Sequence, residues 1–379
     1  MEYGHIRNIH YGDIHTKLEN ILNIKNISLP YIKDDYLDFN KIDEEDYCIN
    51  GDIIFADASE NYDDIGKCIE ITNISFEKVL SGLHTILARE KSKTFQVGLK
   101  GYIFNSHYIR KQIKKSSVGA KVLGISKGNL SKIKVPLPPL KEQQKIADIL
   151  TTQDKIIELK QKLIEEKEKQ KKYLMQNLLT GKIRLKGFKD KWKEISLKKI
   201  LKERKEYSNK FSNYEHVTLS KEGIYPKTER YDRDYLVKDE NKKYKITKLN
   251  DICYNPANLK FGVICLNNFG TAIFSPIYIT FEINNKFSIK FISLYLTQWD
   301  FINAIRKYEE GTVYERMAVK PEDFISYKFN IPPLQEQNAI AQILSKADEE
   351  IELLQKELEQ EKQKKKALMQ LLLTGIVRV

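Results

Sequence analysis

Apolar residues return every three to four positions through two long stretches of the chain, one following Pro138-Pro139 and the other following Pro332-Pro333. That period marks an amphipathic helix, and a sustained heptad marks a helix that buries a narrow seam against another helix. In the second stretch Leu344, Ile351, Leu358, Lys365 and Leu372 share one seam position, with Ile340, Ala347, Leu354, Glu361 and Leu368 on the other. Glu361 and Lys365 form one charged layer. The first stretch keeps Leu150, Ile157, Ile164 and Leu178 on one seam and Ile146 and Leu174 on the other, but places Gln153, Lys160, Lys167 and Lys171 at seam positions. Its seam is weaker alone, so the simplest packing sets the two helices against each other, with the polar layers fixing register.

Both helices carry punctuation. Paired prolines cannot lie in a helix interior and hold the residue before them extended, so they fix where each helix can begin. Glu142 and Glu336 then fall in the first turn, where the helix dipole favours negative charge. Thr180-Gly181 and Thr374-Gly375 supply the glycine expected just past a C-cap. Between these marks lie about 40 residues, or roughly 60 Å of helix. The outer faces, "EEKEKQKK" (Glu165–Lys172) and "EQEKQKKK" (Glu359–Lys366), read as solvated charge.

The two stretches are copies. "LPPLKEQQKIADIL" at Leu137–Leu150 returns as "IPPLQEQNAIAQIL" at Ile331–Leu344, and "YLMQNLLTGKIRL" at Tyr173–Leu185 returns as "ALMQLLLTGIVRV" at Ala367–Val379. Residues 137–185 align with 331–379 without a gap, about half of them identical. A period this long is no solenoid but the duplication of a large unit.

What precedes each helix differs in texture, with short runs of Ile, Tyr and Phe broken by Gly, Asn and Asp, as in a mixed domain with short strands. Weak internal similarity survives there. "HIRNIHYGDI" (His5–Ile14) resembles "EHVTLSKEGI" (Glu215–Ile224), and "GDIIFADASENYDDIG" (Gly51–Gly66) resembles "NDICYNPANLKFG" (Asn250–Gly262). "VGAKVLGISKGNLSKIKVPLPPL" (Val118–Leu140) likewise resembles "EGTVYERMAVKPEDFISYKFNIPPL" (Glu310–Leu334). The order is therefore globular, helix, globular, helix, with the helices far better preserved than the globular parts.

Composition now narrows the partner. With 379 residues and 41% hydrophobic content the chain can build two or three cores, and 64 Lys and Arg against 52 Asp and Glu leave a net charge of +12. Such a balance suits a polyanion such as nucleic acid or an anionic membrane surface. No apolar stretch approaches the ~20 residues that span a bilayer, and the polar start "MEYGHIRNIHYGD" has no signal-peptide core. A soluble, cytoplasmic protein without a membrane partner is expected. Cys48, Cys68, Cys253 and Cys265 lack metal-ligand or paired spacing and read as reduced, mostly buried thiols.

Together, the doubled "PPLxEQxxIAxIL" opening, the "LMQxLLTGxxR" close and the alternation with divergent domains resemble the specificity (S) subunit, HsdS, of type I restriction-modification systems, over essentially the whole chain. The resemblance implies an α+β, pseudo-twofold protein: two globular mixed α/β target-recognition domains separated by two long helices that form an intramolecular antiparallel coiled coil. The boundaries would be 1–137 for the first recognition domain, 138–182 for the first helical spacer, 183–331 for the second domain and 332–379 for the second spacer. Each domain would read one half of a split sequence in double-stranded DNA. The helices would dock two methyltransferase (M) subunits and the restriction (R) subunits. No cofactor is expected in this chain: S-adenosylmethionine would sit in the methyltransferase, which modifies adenine, and ATP and Mg in the restriction subunit.

One departure concerns the front. The second unit has a lead-in, "GFKDKWKEISLKKILKERKEYSNKFSN" (Gly187–Asn213), before the segment matching "HIRNIH", whereas the first starts almost directly with that segment. The first domain is expected to be shorter by roughly two dozen residues.

No catalytic constellation is expected. His5, His10 and His15, five apart, do not share a strand face and lack a completing carboxylate or cysteine cluster, so no metal site is predicted, and His10 or His15 would more plausibly touch DNA. "YNPANLKFG" (Tyr254–Gly262) is superficially like the Asn-Pro-Pro-aromatic motif of adenine methyltransferases but lacks its second proline and aromatic, and reads as a turn. "ENK" (Glu240–Lys242) is a chance Glu-x-Lys in a lysine-rich chain. DNA contact calls instead for cations on phosphates and polar or aromatic groups on base edges. The candidates are Asn8, His10, Tyr11, Lys17, Ser59, Asn61, Tyr62 and Lys121 in the first unit. In the second they are Lys221, Tyr225, Lys227, Arg230 and Arg233 in one loop, framed by Asn255, Asn258, Lys260, Tyr314 and Arg316. Two rivals remain: a single-chain methyltransferase or nuclease fragment, which needs a cofactor loop the chain does not show, and a coiled-coil scaffold without DNA readout, which leaves the two differing globular units unexplained.

Overall fold

The computed structural model describes residues 4–33, 35, 38, 41–209, 213–227, 243–310 and 317–379. Two compact units divide the chain, Met1–Leu163 with Leu354–Val379, and Ile164–Leu353. The two long helices run Leu140–Leu178 and Leu334–Leu373, so each unit holds one segment of both.

In the first unit, four strands lie in the order Ile21–Asn23, Cys68–Thr72, Ile53–Ala56, Thr85–Ala88, with the first pair parallel and the others antiparallel. Cys68–Thr72 is buried along its whole length, including Glu70. That carboxylate accepts the amide hydrogens of Gly98 (2.8 Å) and Gly101 (3.0 Å) and so ties the start of helix Lys100–Phe104 to the sheet. Burial nevertheless pushes its pKa up from the usual carboxylate value.

In the second unit, one sheet runs Leu201–Glu203, Ile279–Ile283, Ile252–Tyr254, Ile264–Leu266, all antiparallel. A five-stranded sheet runs Tyr207–Ser208, Tyr244–Thr247, Ala272–Phe274, Glu215–Leu219, Ile224–Pro226. Against the four-stranded sheet the rings of Tyr254, Phe281 and Phe324 stack, with centroids 4.6 to 6.1 Å apart.

The faint similarity of the globular parts has a structural cause. Gly51 (φ 88°) and Asn250 (φ 70°) both take the left-handed conformation and hand the chain to a buried aspartate, Asp52 or Asp251. Each aspartate accepts an amide hydrogen three residues back, Ile49 or Lys248, at 2.8 Å. Each is also gripped through both carboxylate oxygens by an arginine, Arg89 at 3.0 and 2.7 Å and Arg204 at 2.8 and 2.9 Å. A buried charge needs such a complete set of partners, which leaves this corner little room to diverge.

The helical segments run antiparallel in both units. In the first, Gln153 donates to the Glu361 carboxylate (2.7 Å), Lys160 pairs with Glu357 (2.6 Å) and Asp154 pairs with Lys365. In the second, Lys167 pairs with Glu350 (2.6 Å) and Lys171 with Asp348. The polar residues that weakened the first seam are thus answered by the other helix. Among the apolar seam residues, Ile146, Leu150, Ile164, Leu178, Ile340, Leu344, Ile351 and Leu372 are buried, and Ile157, Leu174, Leu354, Leu358 and Leu368 are half-buried.

The "EQ" of the repeated opening acquires a role that sequence reading missed. Gln143 accepts the Gln96 amide (2.8 Å) and donates to the carbonyls of Thr94 (3.0 Å) and Pro138 (2.8 Å). Gln337 accepts the Ser288 amide (2.9 Å) and donates to the Pro332 carbonyl (2.8 Å). Each glutamine bolts its helix to the globular part before it. The neighbouring glutamates bind the closing arginines: Arg378 reaches Glu142 through two contacts of 2.6 Å, and Arg184 reaches Glu336 through two of 2.7 Å.

All four cysteines are free and buried, and burial raises the thiols of Cys48, Cys253 and Cys265 to about 12 and pushes that of Cys68 up as well. Among the described residues no helix is long and apolar enough to cross a membrane, and no cluster of His, Cys, Asp and Glu could hold a metal ion.

Candidate nucleic-acid interface

In the first unit the candidate residues gather at one end of the sheet. Strand Arg7–Ile9 pairs in parallel with Val79–Ser81 and delivers the chain to His10, whose Nδ1 accepts the Gly12 amide (3.1 Å) and caps helix Tyr11–Thr16. His10 is thereby held as a structural acceptor beside Tyr11, their rings 4.3 Å apart. Tyr11 meets the ring of His84 edge-on at 5.5 Å, and His84 Nδ1 lies 3.4 Å from Asp57. From Asp57 the strand Ala58–Ser59 pairs with Leu123–Gly124, next to the exposed Lys121.

The turn after it closes on itself. Ser59 Oγ accepts the Asn61 amide (3.1 Å), and Asn61 Oδ1 accepts those of Asp63 and Asp64 (both 2.9 Å). Ser59 is buried, so its hydroxyl serves the turn rather than a ligand. Tyr62, at the apex, is exposed. Lys17 is exposed and pairs with Asp13 one turn earlier (3.1 Å), while Asn8 is half-buried under the next loop.

That loop, Gly82-Leu83-His84, is the element sequence reading overlooked. Gly82 N donates to Ile9 O (2.9 Å), Thr85 Oγ1 donates to Gly82 O (2.5 Å), and His84 takes φ 53° with its carbonyl accepting the Asp57 amide (3.0 Å). Its backbone is braced on all sides, yet Leu83 is 66% exposed in the middle of the polar cluster. A short "SGLHT" segment between two apolar runs signalled a turn; its position beside Tyr11 and Ser59 was not legible.

The second unit repeats the plan with other side chains. Strand Glu215–Leu219 ends at Ser220, whose Oγ accepts the Glu222 amide (3.1 Å) as His10 accepts that of Gly12. The hairpin then returns as Ile224–Pro226, presenting Lys221 and the half-exposed Tyr225. Lys227 closes it through its amide to His216 O (2.9 Å).

Asn255 is buried, and its Oδ1 accepts the amides of Ala257 (3.1 Å) and Asn258 (3.3 Å). The "NPANLKFG" segment is therefore the turn its sequence suggested, with Asn255 as its keystone, leaving Asn258 and Lys260 half-buried at its rim and Gly262 (φ 81°) closing it. Hairpin and turn belong together, because Ile224 and Val263 pack on the same apolar cluster of Val217, Leu219, Cys253, Cys265 and Phe274. Pro256 O accepts the Val319 amide (3.3 Å), and Glu310 pairs with Ala318, next to Val319. Arg230, Arg233, Tyr314 and Arg316 lie outside the described residues, as does the Glu240–Lys242 segment.

Each unit thus carries a rim of loops on a braced sheet end, mixing cations, amides and aromatic rings. Such a surface can hold a phosphate backbone and present side chains to base edges.

The comparisons with known proteins agree with this arrangement. The family pattern described as the type I restriction modification DNA specificity domain matches the chain twice, over residues 8–169 and 189–363. The putative type I restriction enzyme MjaX specificity subunit of Methanocaldococcus jannaschii is 29% identical over 360 residues, covering 87% of this chain and 79% of that protein. The MjaVIII specificity subunit of the same organism is 28% identical, covering 73% of this chain and 70% of that protein. The crystal structure of the HsdS subunit from Thermoanaerobacter tengcongensis shares the fold, with a TM-score of 0.51 at 15% identity over 89% of this chain and 85% of that one. Two matched domains, each holding one loop-rimmed globular part and most of the long helix that follows it, make this chain a member of the type I restriction-modification DNA specificity family.

Proposed function

We propose that the chain is the DNA-reading, non-catalytic subunit of a type I restriction-modification complex, in which each globular unit reads one half of a bipartite target. The observation that carries the reading is the duplication itself: two specificity domains with the same braced corner and the same capped turn, but different side chains on the rim. A scaffold that repeats while its rim diverges suits two unlike half-sites. The paired helices then serve as the spacer, as dimer geometry sets half-site spacing in other bipartite readers.

Catalysis is assigned to partners. Two methyltransferase subunits would dock on the helices and carry S-adenosylmethionine, and restriction subunits would bring ATP and Mg. Support comes from apolar side chains on the outer helix faces: Leu159 and its repeat equivalent Leu353 are 53% and 60% exposed, and Leu163 is exposed one turn beyond Leu159. The isolated chain is accordingly expected to bind DNA poorly or to aggregate. Mapping modified adenines in host DNA with and without this chain tests the reading: a split motif should vanish on deletion, and an unchanged methylation map would overturn it.

A further inference from the structure

A cleft of about 870 Å³ opens in the first unit between its globular part and the end of the second long helix. Its helix wall is Lys362, Lys365, Lys366, Met369 and Gln370. The second unit has a cleft of about 480 Å³ at the corresponding place, walled by Glu168, Lys171, Lys172, Met175 and Gln176. These are the repeat equivalents, position by position, so the duplication made two copies of one cleft.

Their charge has parted. Seven Lys and Arg side chains line the first cleft against two carboxylates, Glu19 and Asp63. Two lysines line the second against three carboxylates, Glu168, Asp300 and Asp348. Lys362 stands where the second copy has Glu168, and neither Lys362 nor Lys366 has a carboxylate partner among the described residues.

The floor of the first cleft is also under-satisfied. Arg110 is 8% exposed, donates through Nη2 to Asp63 O (3.0 Å) and has no partner for Nη1 among the described residues. A guanidinium removed from water with one hydrogen bond is costly, and an oxyanion with several acceptor oxygens offsets that cost. Position supplies the source of the anion. His15, on the cleft wall, meets Tyr11 edge-on at 5.5 Å, and Asp64 beside Asp63 accepts from Asn61 (2.7 Å), so the cleft continues the rim that carries Tyr11, Asn61 and Tyr62.

We propose that the first cleft holds backbone phosphates of the DNA flanking the half-site read by the first unit, and that its twin in the second unit does not. The proposal rests on the DNA-reading function above and adds an asymmetry to it: the first half-site is gripped by a longer phosphate track. Lys362 and Lys366 are exposed, so changing them leaves the core intact.

The test uses the chain assembled with its methyltransferase subunits and a duplex bearing the motif mapped in the host, with affinity measured between about 50 and 200 mM salt. Lys362→Glu with Lys366→Glu should lower the salt-dependence slope by about 2, since each neutralised phosphate contributes about 0.9, while the methylated motif stays the same. Lys172→Glu in the second cleft should leave the slope at the wild-type value. A slope unchanged by the double variant, or an equal fall with Lys172→Glu, overturns the proposal. So does loss of a tripolyphosphate-induced thermal shift in the double variant with an unchanged DNA slope, which would assign the cleft to a free polyphosphate. Failure of the wild-type complex to bind its motif would instead sink the DNA-reading function itself.

Discussion

Arg184 and Glu336 are 152 positions apart and form a two-contact ion pair at 2.7 Å on each side, with Glu336 fully buried and the Trp192 Nε1 donating to the same carboxylate at 3.2 Å. The arginine that closes the first helix copy clasps the glutamate that opens the second. Glu142 and Arg378 repeat the clasp with the copies exchanged. A motif that looked like two separate helix ends is one lock used twice.

Breaking the lock should be unequal. Glu336→Ala strips a buried, fully partnered carboxylate from Arg184 and Trp192, and should destabilise the second unit by about 2–3 kcal/mol. Glu142→Ala should lower the unfolding temperature less, because Arg378 is 65% exposed and stays hydrated. Thermal unfolding of both variants in the assembled complex checks the order; an equal or reversed loss would count against it.

The reading rim should be separable by half-site. A Cβ on Gly82 would come within 2.1 Å of Asn8 Oδ1 and 2.9 Å of Ile9 O, so Gly82→Ala must push Asn8 aside or shift the Leu83–His84 tip. Methylation mapping is expected to show degraded or altered preference in one half of the split motif with the other half intact. Damage to both halves would mean the loop acts through the fold rather than at the rim.

The complementary change lies on the second unit. Lys221→Ala with Tyr225→Ala alters the hairpin tip without touching the apolar cluster beneath it. It should weaken readout of the half left intact by Gly82→Ala, by on the order of 1–3 kcal/mol per lost base contact. The same half failing in both variants would refute the assignment of one unit to each half.

Acid should loosen the first unit by a route that can be traced. Burial holds the His15 imidazole below its ordinary value, helped by Lys67 and Arg110 and opposed by Asp64. A depressed folded pKa contributes stability that is complete above the unfolded value near 6.5 and is lost as pH falls through the folded one. Glu142, held below the usual carboxylate range by the Arg378 guanidinium, adds a second loss at lower pH by the same sign. Unfolding measured from pH 7 to 5 should show a slope that His15→Gln reduces; an unaltered slope would remove His15 from the account.

Thiol labelling gives a further check. With all four cysteines buried and their pKa values raised, a thiol reagent at pH 8 should leave the native chain unmodified and label four sites after denaturation. Rapid native labelling of Cys265 would show that the cluster under the second reading hairpin opens.

The sequence by itself determined the architecture: paired prolines, a heptad seam, a Thr-Gly close and their repetition are local or periodic signals, and such signals survive without knowledge of the fold. It also foretold the turn at Asn255, because an Asn-Pro segment ended by a glycine encodes its own hydrogen bonds. It could not show that Glu142 and Glu336, placed in the first turns of their helices as expected, also bind an arginine of the other copy, since nothing local links positions 152 or 236 residues apart. Nor could it separate Ser59 and Asn255, which close turns, from Tyr62 and Lys221, which face outward, because all four are polar residues in loops. The Leu83 tip and the two clefts of opposite charge were decided only in three dimensions, where packing brings together segments whose sequences carry no mark of each other.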